Sequence, residues 1–215
     1  MHTFIREPIN GLTHFAGAVL SFIALLAMII KASVTTGSPI AITAVTIFGI
    51  SMILLYSASA TYHMVVAKDR VIAFLRRLDH SMIYILIAGT YTPFCLISLN
   101  GTIGWVLFAI VISVAVFGVV FKLVWFHSPR WLSTAIYILM GWIMIFFISP
   151  LSKELATPGM FLLVLGGVLY TIGGVIYAIK PKFMQSKYMG YHEIFHIFIM
   201  LGSMSHFLSI YLYVI

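Results

Sequence analysis

Seven long apolar runs, each close to the roughly 20 residues that span a bilayer, limit what this chain can fold into. The runs cover residues 11–31, 41–63, 80–99, 104–124, 131–149, 159–179 and 191–214. Turn and helix-breaking residues separate them, as in Asn100-Gly101 and Thr157-Pro158-Gly159. We therefore predict an all-α, multi-pass membrane protein. Residues 1–215 would form one bundle of seven transmembrane helices with short connections.

The composition places the chain in the cell membrane and argues against some partners. Of its 215 residues, 62% are hydrophobic and 8% are charged, whereas soluble domains carry about 25% charged residues. So little charge argues against a nucleic-acid partner, although the formal net charge is +7. The single cysteine, Cys95, excludes an internal disulfide and a metal site dominated by thiolates.

The distribution of basic residues predicts the orientation of the bundle. Of the twelve Lys and Arg residues, only Lys31 and Lys153 fall on one side of the predicted membrane. The ten on the other side are Arg6, Lys68, Arg70, Arg76, Arg77, Lys122, Arg130, Lys180, Lys182 and Lys187. Since cytoplasmic loops are enriched in Lys and Arg, we predict a cytoplasmic N-terminus and an external C-terminus.

The last apolar run carries ionisable residues that hydrocarbon disfavours unless they have a partner or a role. His192 and His196 are four residues apart, so on a helix they lie one turn apart on the same face and could bind one cation. His206 lies ten residues further on, about 15 Å along the helix. It cannot share an ion with the pair, and we interpret it as a histidine satisfied within the bundle.

Polar residues of three other runs fall at the same predicted depth, near the cytoplasmic face. Two lie at the end of the second run, one at the start of the third and three before or at the start of the first. They are Ser59 and His63, Asp79, and Glu7, Asn10 and His14. Three neutral imidazoles with an open fourth position form the ligand set of a catalytic zinc ion. A neighbouring carboxylate could hold and deprotonate water on that ion.

Plainer interpretations of these residues stay open. Histidines near a membrane surface are often only hydrated or hydrogen-bonded. Asp79 could cap the third helix, and Ser59 could be an ordinary packing residue. Glu7 and Asn10 could cap the first helix. The histidines that we interpret as interfacial side chains without a further role are His2, His80 and His127.

Four motifs along the chain resemble those of the hemolysin III family, within the wider progestin and adipoQ receptor group. Residues 7–14, EPINGLTH, resemble its E-x-x-N-x-x-T-H motif, and residues 59–63, SATYH, resemble its S-x-x-x-H motif. Residues 78–93 and 192–207 resemble its third and last motifs. The resemblance covers essentially the whole chain.

The resemblance implies a seven-helix fold with an intramembrane Zn²⁺ near the inner face. By matched position, the ligands would be His63, His192 and His196. Asp79 would hold the water on the zinc, with Ser59 close by. Related membrane proteins with this constellation are lipid amide hydrolases of the ceramidase type, so membrane lipids are the expected partners. The chain lacks the long N-terminal region of the animal receptors, and no protein hormone is expected as a ligand.

Three functions remain open from the sequence. The first is a zinc-dependent hydrolase of membrane lipids, and the second is the pore-forming cytolysin that the family name suggests. A pore should show a polar stripe crossing the membrane, whereas the polar residues cluster near one face. The third is a non-catalytic receptor or regulator with structural zinc, which a closed site with Asp79 bound directly would favour.

Overall fold

The computed structural model describes residues 5–125, 128–186 and 189–215, and within those ranges it contains helices and no β-strand. Seven helices in this part of the chain are long and apolar enough to cross a membrane, which confirms the predicted fold class. They are α1 (Pro8–Thr35), α2 (Pro39–Met64), α3 (Asp69–Leu99), α4 (Gly101–Val124), α5 (Arg130–Glu154), α6 (Thr157–Ile179) and α7 (Tyr191–Tyr213).

Prolines and caps set several helix ends. Pro8 and Pro39 stand in the first turns of α1 and α2, where a missing N–H costs nothing. The Ser38 side chain accepts a hydrogen bond from Ala41 N, 3.4 Å away, and so caps α2. Gly37, at φ +59°, makes the left-handed turn between the two helices. The close α1–α2 pairing follows from this short connection.

Helix α3 begins well before its predicted start at residue 80, and Asp79 therefore lies inside the helix. The interpretation of Asp79 as a cap is wrong. The helix starts at Asp69, and its first turns carry basic residues that hide it from a search for apolar runs. It stays α-helical to Pro93 and continues as a π-helix over Phe94–Leu99, as expected where proline removes a hydrogen-bond donor.

Helix α5 is interrupted near its middle by a 3₁₀ segment, Ile143–Phe147. Tyr91 of α3 satisfies the irregular backbone there. Its hydroxyl donates to Gly141 O at 2.6 Å and accepts from Met144 N at 2.9 Å. Irregular backbone at membrane depth is tolerated only when protein groups satisfy it in this way.

Helix α7 packs most extensively against α6. The Ser205 hydroxyl donates to Leu162 O at 2.7 Å, and the Ser209 hydroxyl donates to Gly159 O at 2.8 Å. Interhelical hydrogen bonds of this kind hold membrane helices together. They fix the rotation of α7, and with it the direction of the histidines at its start.

The predicted orientation can be tested with reporter fusions. With seven crossings we predict that the two termini lie on opposite sides, and the basic residues predict a cytoplasmic N-terminal side. Lys187, one of those basic residues, lies outside the described residues. Alkaline phosphatase fused after Ile215 should be active, because it folds outside the cytoplasm. The same enzyme fused in the α6–α7 connection near residue 185 should be inactive. Activity at residue 185 and none at the C-terminus would reverse the assignment.

Candidate metal centre

Three histidines from two helices meet at one end of the bundle. His63 stands at the end of α2, and His192 and His196 occupy the first turns of α7. One ring nitrogen from each lies within 4.8 Å of the other two. His63 and His196 are buried, and His192 is half-buried. The structure thus brings together the three ligands predicted from the sequence.

The distance between the nitrogens of His63 and His192 fits a tetrahedral zinc ion. Two nitrogens bound to such an ion at 2.0–2.1 Å lie roughly 3.3–3.4 Å apart. The Nε2 atoms of His63 and His192 are 3.3 Å apart. The three rings are inclined to one another by 52–72°, so none stacks on another member of the group. This inclination allows one nitrogen of each ring to point at a common centre.

Glu7 orients His63 for that role. Its Oε2 lies 2.6 Å from His63 Nδ1, which leaves Nε2 directed toward His192. A carboxylate behind a ligand histidine fixes the ring and raises its basicity. The hydrogen bond from His63, together with the charge of Arg6, lowers the pKa of Glu7 to about 2 despite partial burial. Glu7 occupies the N-cap position of α1, as predicted, but its side chain makes no capping hydrogen bond.

Asn10 ties the start of α1 to the start of α7. Its Nδ2 donates to Glu193 Oε1 at 2.9 Å and to Glu7 Oε2 at 3.3 Å. Glu193 Oε2 also accepts from Gly190 N at 2.8 Å, at the beginning of α7. Asn10 is therefore buried in a polar network and does not act as a helix cap. Glu193 was not among the predicted site residues, although it lies between two predicted ligands.

His14 packs flat against His196. The ring centroids are 3.6 Å apart and the planes differ by 9°. His14 is buried, and within the described part of the chain neither of its nitrogens has a hydrogen-bond partner. Glu7, Asn10 and His14, which were predicted to lie at one depth, are thus all directed toward the start of α7 and the end of α2. The stack restricts the His196 ring to one orientation.

Asp79 and Ser59 lie beside the three histidines. Among the described residues the compact group contains only the three imidazoles. The Asp79 side chain contacts Ser59, and its Oδ2 lies 3.6 Å from His80 Nδ1. Asp79, Ser59 and His192 line one cavity. Asp79 therefore lies next to the candidate ligands and outside the compact three-histidine group.

His80 has a role that sequence reasoning missed. Its side chain is only 12% exposed, so the interpretation as an interfacial residue is wrong; His2 and His127 lie outside the described residues. His80 Nδ1 donates to Arg76 O at 2.7 Å, and its Nε2 therefore accepts from the Tyr177 hydroxyl at 3.0 Å. This pair fixes α3 against α6 beside Asp79.

His206 is buried near the far part of the cavity. Within the described residues its Nδ1 has no hydrogen-bond partner, and the interpretation of His206 as satisfied stays a prediction. A Cβ on Gly166 would lie 2.6 Å from the His206 ring, and glycine is needed there. The hydroxyl of the neighbouring Ser203 accepts a hydrogen bond from the Tyr56 hydroxyl at 2.6 Å. It is also hydrogen-bonded to the Tyr170 hydroxyl at 2.8 Å. As predicted, His206 is not part of the three-histidine group.

The cavity runs inward from the histidines and has a volume of about 150 Å³. By the same measure a water needs about 10–15 Å³. Its walls are mostly aliphatic and aromatic side chains of α3, α5, α6 and α7, such as Leu86, Ile138 and Leu163. The polar residues Asp79 and His192 line it as well.

Comparison with known proteins agrees with the four sequence motifs. Residues 2–207 match the family model described as Haemolysin-III related. The chain belongs to the hemolysin III family. It is 41% identical over 216 residues to Hemolysin-3 of Bacillus cereus, covering 100% of this chain and 95% of that protein. It is 42% identical over 213 residues to the Hemolysin-3 homolog of Bacillus subtilis (strain 168), covering 99% of this chain and 96% of that protein.

Family membership and the seven helices confirm a multi-pass integral protein of the bacterial cell membrane. The hemolysin III resemblance drawn from residues 7–14, 59–63, 78–93 and 192–207 is confirmed by the match over residues 2–207. Membership of the wider group that includes the adiponectin receptors is consistent with these findings and stays a prediction.

Replacing Glu7 by Gln should weaken metal binding while leaving the three imidazoles in place. Loss of a carboxylate behind a ligand histidine typically costs about 10- to 100-fold in metal affinity. The expected result is a zinc dissociation constant raised by that factor, measured by competition with a chromophoric chelator. Glu154→Gln, at the opposite end of the bundle, is the matched control and should leave the affinity unchanged. Equal affinity in the wild type and Glu7→Gln would exclude the orienting role.

Proposed function

We propose that this hemolysin III protein is a zinc-dependent hydrolase that cleaves an acyl bond, an amide or an ester, of a membrane lipid. One observation carries the proposal: the three imidazoles that fit a zinc ion lie beside the cavity that also holds Asp79. A metal-binding group with an open side, a carboxylate and an apolar pocket are the parts that a lipid hydrolase requires.

The shape and lining of the cavity support a lipid as the substrate. Its walls are mostly apolar, as an acyl chain requires, while Asp79 and His192 supply polar groups. An acyl chain in the cavity would place its carbonyl beside these groups. A water-soluble polar substrate would leave its hydrogen-bonding groups unsatisfied against the same walls.

Each residue of the centre has a chemical task in this proposal. His63, His192 and His196 would hold Zn²⁺, and the bound ion would supply Lewis-acid polarisation of the carbonyl and make water more acidic. Asp79 accepts the proton of the attacking water and returns it to the leaving amine or alcohol. Ser59 positions the Asp79 carboxylate through their contact. His14 keeps His196 in place, and the mostly apolar cavity excludes bulk water.

The names of the relatives suggest a second function, lysis of target membranes by a pore. The polar residues of α7 continue along the helix beyond His196 as far as Ser209. Ser205 and Ser209, however, donate to backbone carbonyls of α6 and hold the two helices together. Among the described residues of α7, these two serines are therefore not free to line a channel, which favours the hydrolase. Release of a trapped dye from liposomes would instead support the pore.

Turnover by the purified protein tests the hydrolase. Fluorescent acyl-amide and acyl-ester lipids would be incubated with the zinc-loaded protein, the chelated protein and the chelated protein given Zn²⁺ again. Release of fatty acid is expected only with zinc, with a loss of at least about 100-fold after chelation. A zinc-loaded protein that releases no fatty acid from either lipid class would favour zinc as a structural clamp in a receptor or regulator.

A further inference from the structure

A buried histidine without a hydrogen-bond partner lines the far part of the cavity. His206 of α7 is 4% exposed and is among the residues that line the cavity. Within the described part of the chain, no hydrogen bond joins either of its ring nitrogens to another group. Gly166 of α6 leaves the room that the ring needs, since a Cβ there would lie 2.6 Å from His206 Nε2. A neutral imidazole can donate one hydrogen bond and accept another, so His206 can offer both to a molecule in the cavity.

Three hydroxyl groups, one each from α2, α7 and α6, lead to the same part of the cavity. Tyr56 donates to Ser203 Oγ at 2.6 Å, and Ser203 Oγ lies 2.8 Å from the Tyr170 hydroxyl. Each hydroxyl has one hydrogen, and among the described residues Tyr170 is the acceptor that Ser203 has. The reverse direction would leave the buried Ser203 hydrogen without an acceptor, which is costly. The hydrogen of Tyr170, which also lines the cavity, is therefore left for a bound molecule.

His206 and Tyr170 lie side by side, well away from the candidate metal centre. Their ring centroids are 5.2 Å apart. His206 is ten residues beyond His196 on α7, which is about 15 Å along the helix. An acyl chain with its carbonyl beside the three histidines would extend along the cavity toward these two rings. The two polar groups would then contact the far half of the chain.

We propose that the cavity recognises a hydroxyl group in the far half of a bound acyl chain, through Tyr170 and His206. A hydroxyl can both accept and donate a hydrogen bond. It would accept from the Tyr170 hydroxyl and donate to a ring nitrogen of His206. The inference rests on the proposed function in placing an acyl chain in the cavity, and it requires no hydrolysis.

A lipid hydroxyl fits this position better than a water molecule. Buried waters make about three hydrogen bonds, whereas His206 and Tyr170 offer two. The threonine hydroxyls of Thr90 and Thr171, which also line the cavity, already donate to carbonyls of their own helices. A hydroxyl on an acyl chain needs only the two partners, and its chain buries apolar surface against the remaining walls.

The test compares fatty acids that differ only in the hydroxyl group. Purified full-length protein in neutral detergent would be titrated with three ligands, and binding would be followed by native mass spectrometry. They are octadecanoic acid, its derivative with a hydroxyl in the far half of the chain, and its isomer with the hydroxyl next to the carboxyl group. The far-half hydroxy acid should bind at least about tenfold more tightly than the other two, because it alone satisfies the buried groups.

Variants tie this preference to the two residues. Tyr170→Phe removes one hydroxyl, and His206→Leu replaces the imidazole by an apolar side chain of similar size. Each should reduce the tenfold preference to less than about twofold while octadecanoic acid still binds. Thr90→Val is the matched control, because the Thr90 hydroxyl is bonded within α3, and it should keep the full preference. Zinc content should equal that of the wild type in all three variants, since none of these residues belongs to the three-histidine group.

Two results would overturn the inference while leaving the hydrolase standing. One is equal binding of the three acids by the wild type, which would leave an ordered water only at His206. The other is a full preference in Tyr170→Phe, which keeps the test decisive even if His206→Leu misfolds. Binding of none of the acids would overturn this inference together with the acyl-chain cavity. A clear preference without lipid turnover would instead overturn the hydrolase and keep the hydroxyl site.

Discussion

Purified His196→Ala protein is expected to contain less than about a tenth of the zinc in the wild type. His196 supplies one of three nitrogens that lie within 4.8 Å of one another. Losing a ligand should cost more than the 10- to 100-fold typical of losing a group behind a ligand. Only two imidazoles would remain, which are too few for a site of the catalytic zinc type. Metal analysis per chain, after dialysis against a weak chelator, measures the effect.

His206→Ala is the matched control for this loss. It removes the same side chain from the same buried side of α7, outside the three-histidine group. Its zinc content should equal that of the wild type, even if the vacated space lowers thermal stability. Circular dichroism should show similar helicity in both variants. A full complement of zinc in His196→Ala would mean that the three histidines are not the ligand set.

The helix count was predictable from the sequence because a lipid-embedded backbone must satisfy its own hydrogen bonds. Apolar runs long enough to span the bilayer therefore become helices, as in α4 and α6. The start of α3 was not predictable in this way. Arg76 and Arg77 lower the hydropathy of its first turns, although the helix already begins at Asp69.

The members of the site were predictable, but their connections were not. Helical spacing alone places His192 and His196 on one face. The pairs that orient the centre join distant parts of the chain: Glu7 with His63, 56 residues apart, and Asn10 with Glu193, 183 residues apart. No periodic pattern reports such contacts. For that reason Glu7 and Asn10 were equally compatible with helix capping until the packing of α1 against α2 and α7 was known.

Asp79→Asn should abolish most lipid turnover while leaving the zinc in place. Asparagine keeps the size of the side chain and can still contact Ser59, but it cannot accept a proton at neutral pH. General acid–base catalysis by one positioned group contributes about 10²- to 10⁴-fold. We therefore expect kcat to fall by that factor, with KM little changed because the apolar cavity still binds the acyl chain. Ser59→Ala should cause a smaller loss, since it only positions Asp79.

The zinc content of the same Asp79→Asn sample decides what its inactivity means. Because Asp79 is not part of the three-histidine group, the ion should stay at wild-type occupancy. An inactive protein that keeps its zinc separates the proton acceptor from the ligands. An Asp79→Asn protein that loses the ion would make Asp79 a ligand and would favour a closed structural site. Wild-type turnover in Asp79→Asn would remove the carboxylate from the mechanism, because no other carboxylate lines the cavity among the described residues.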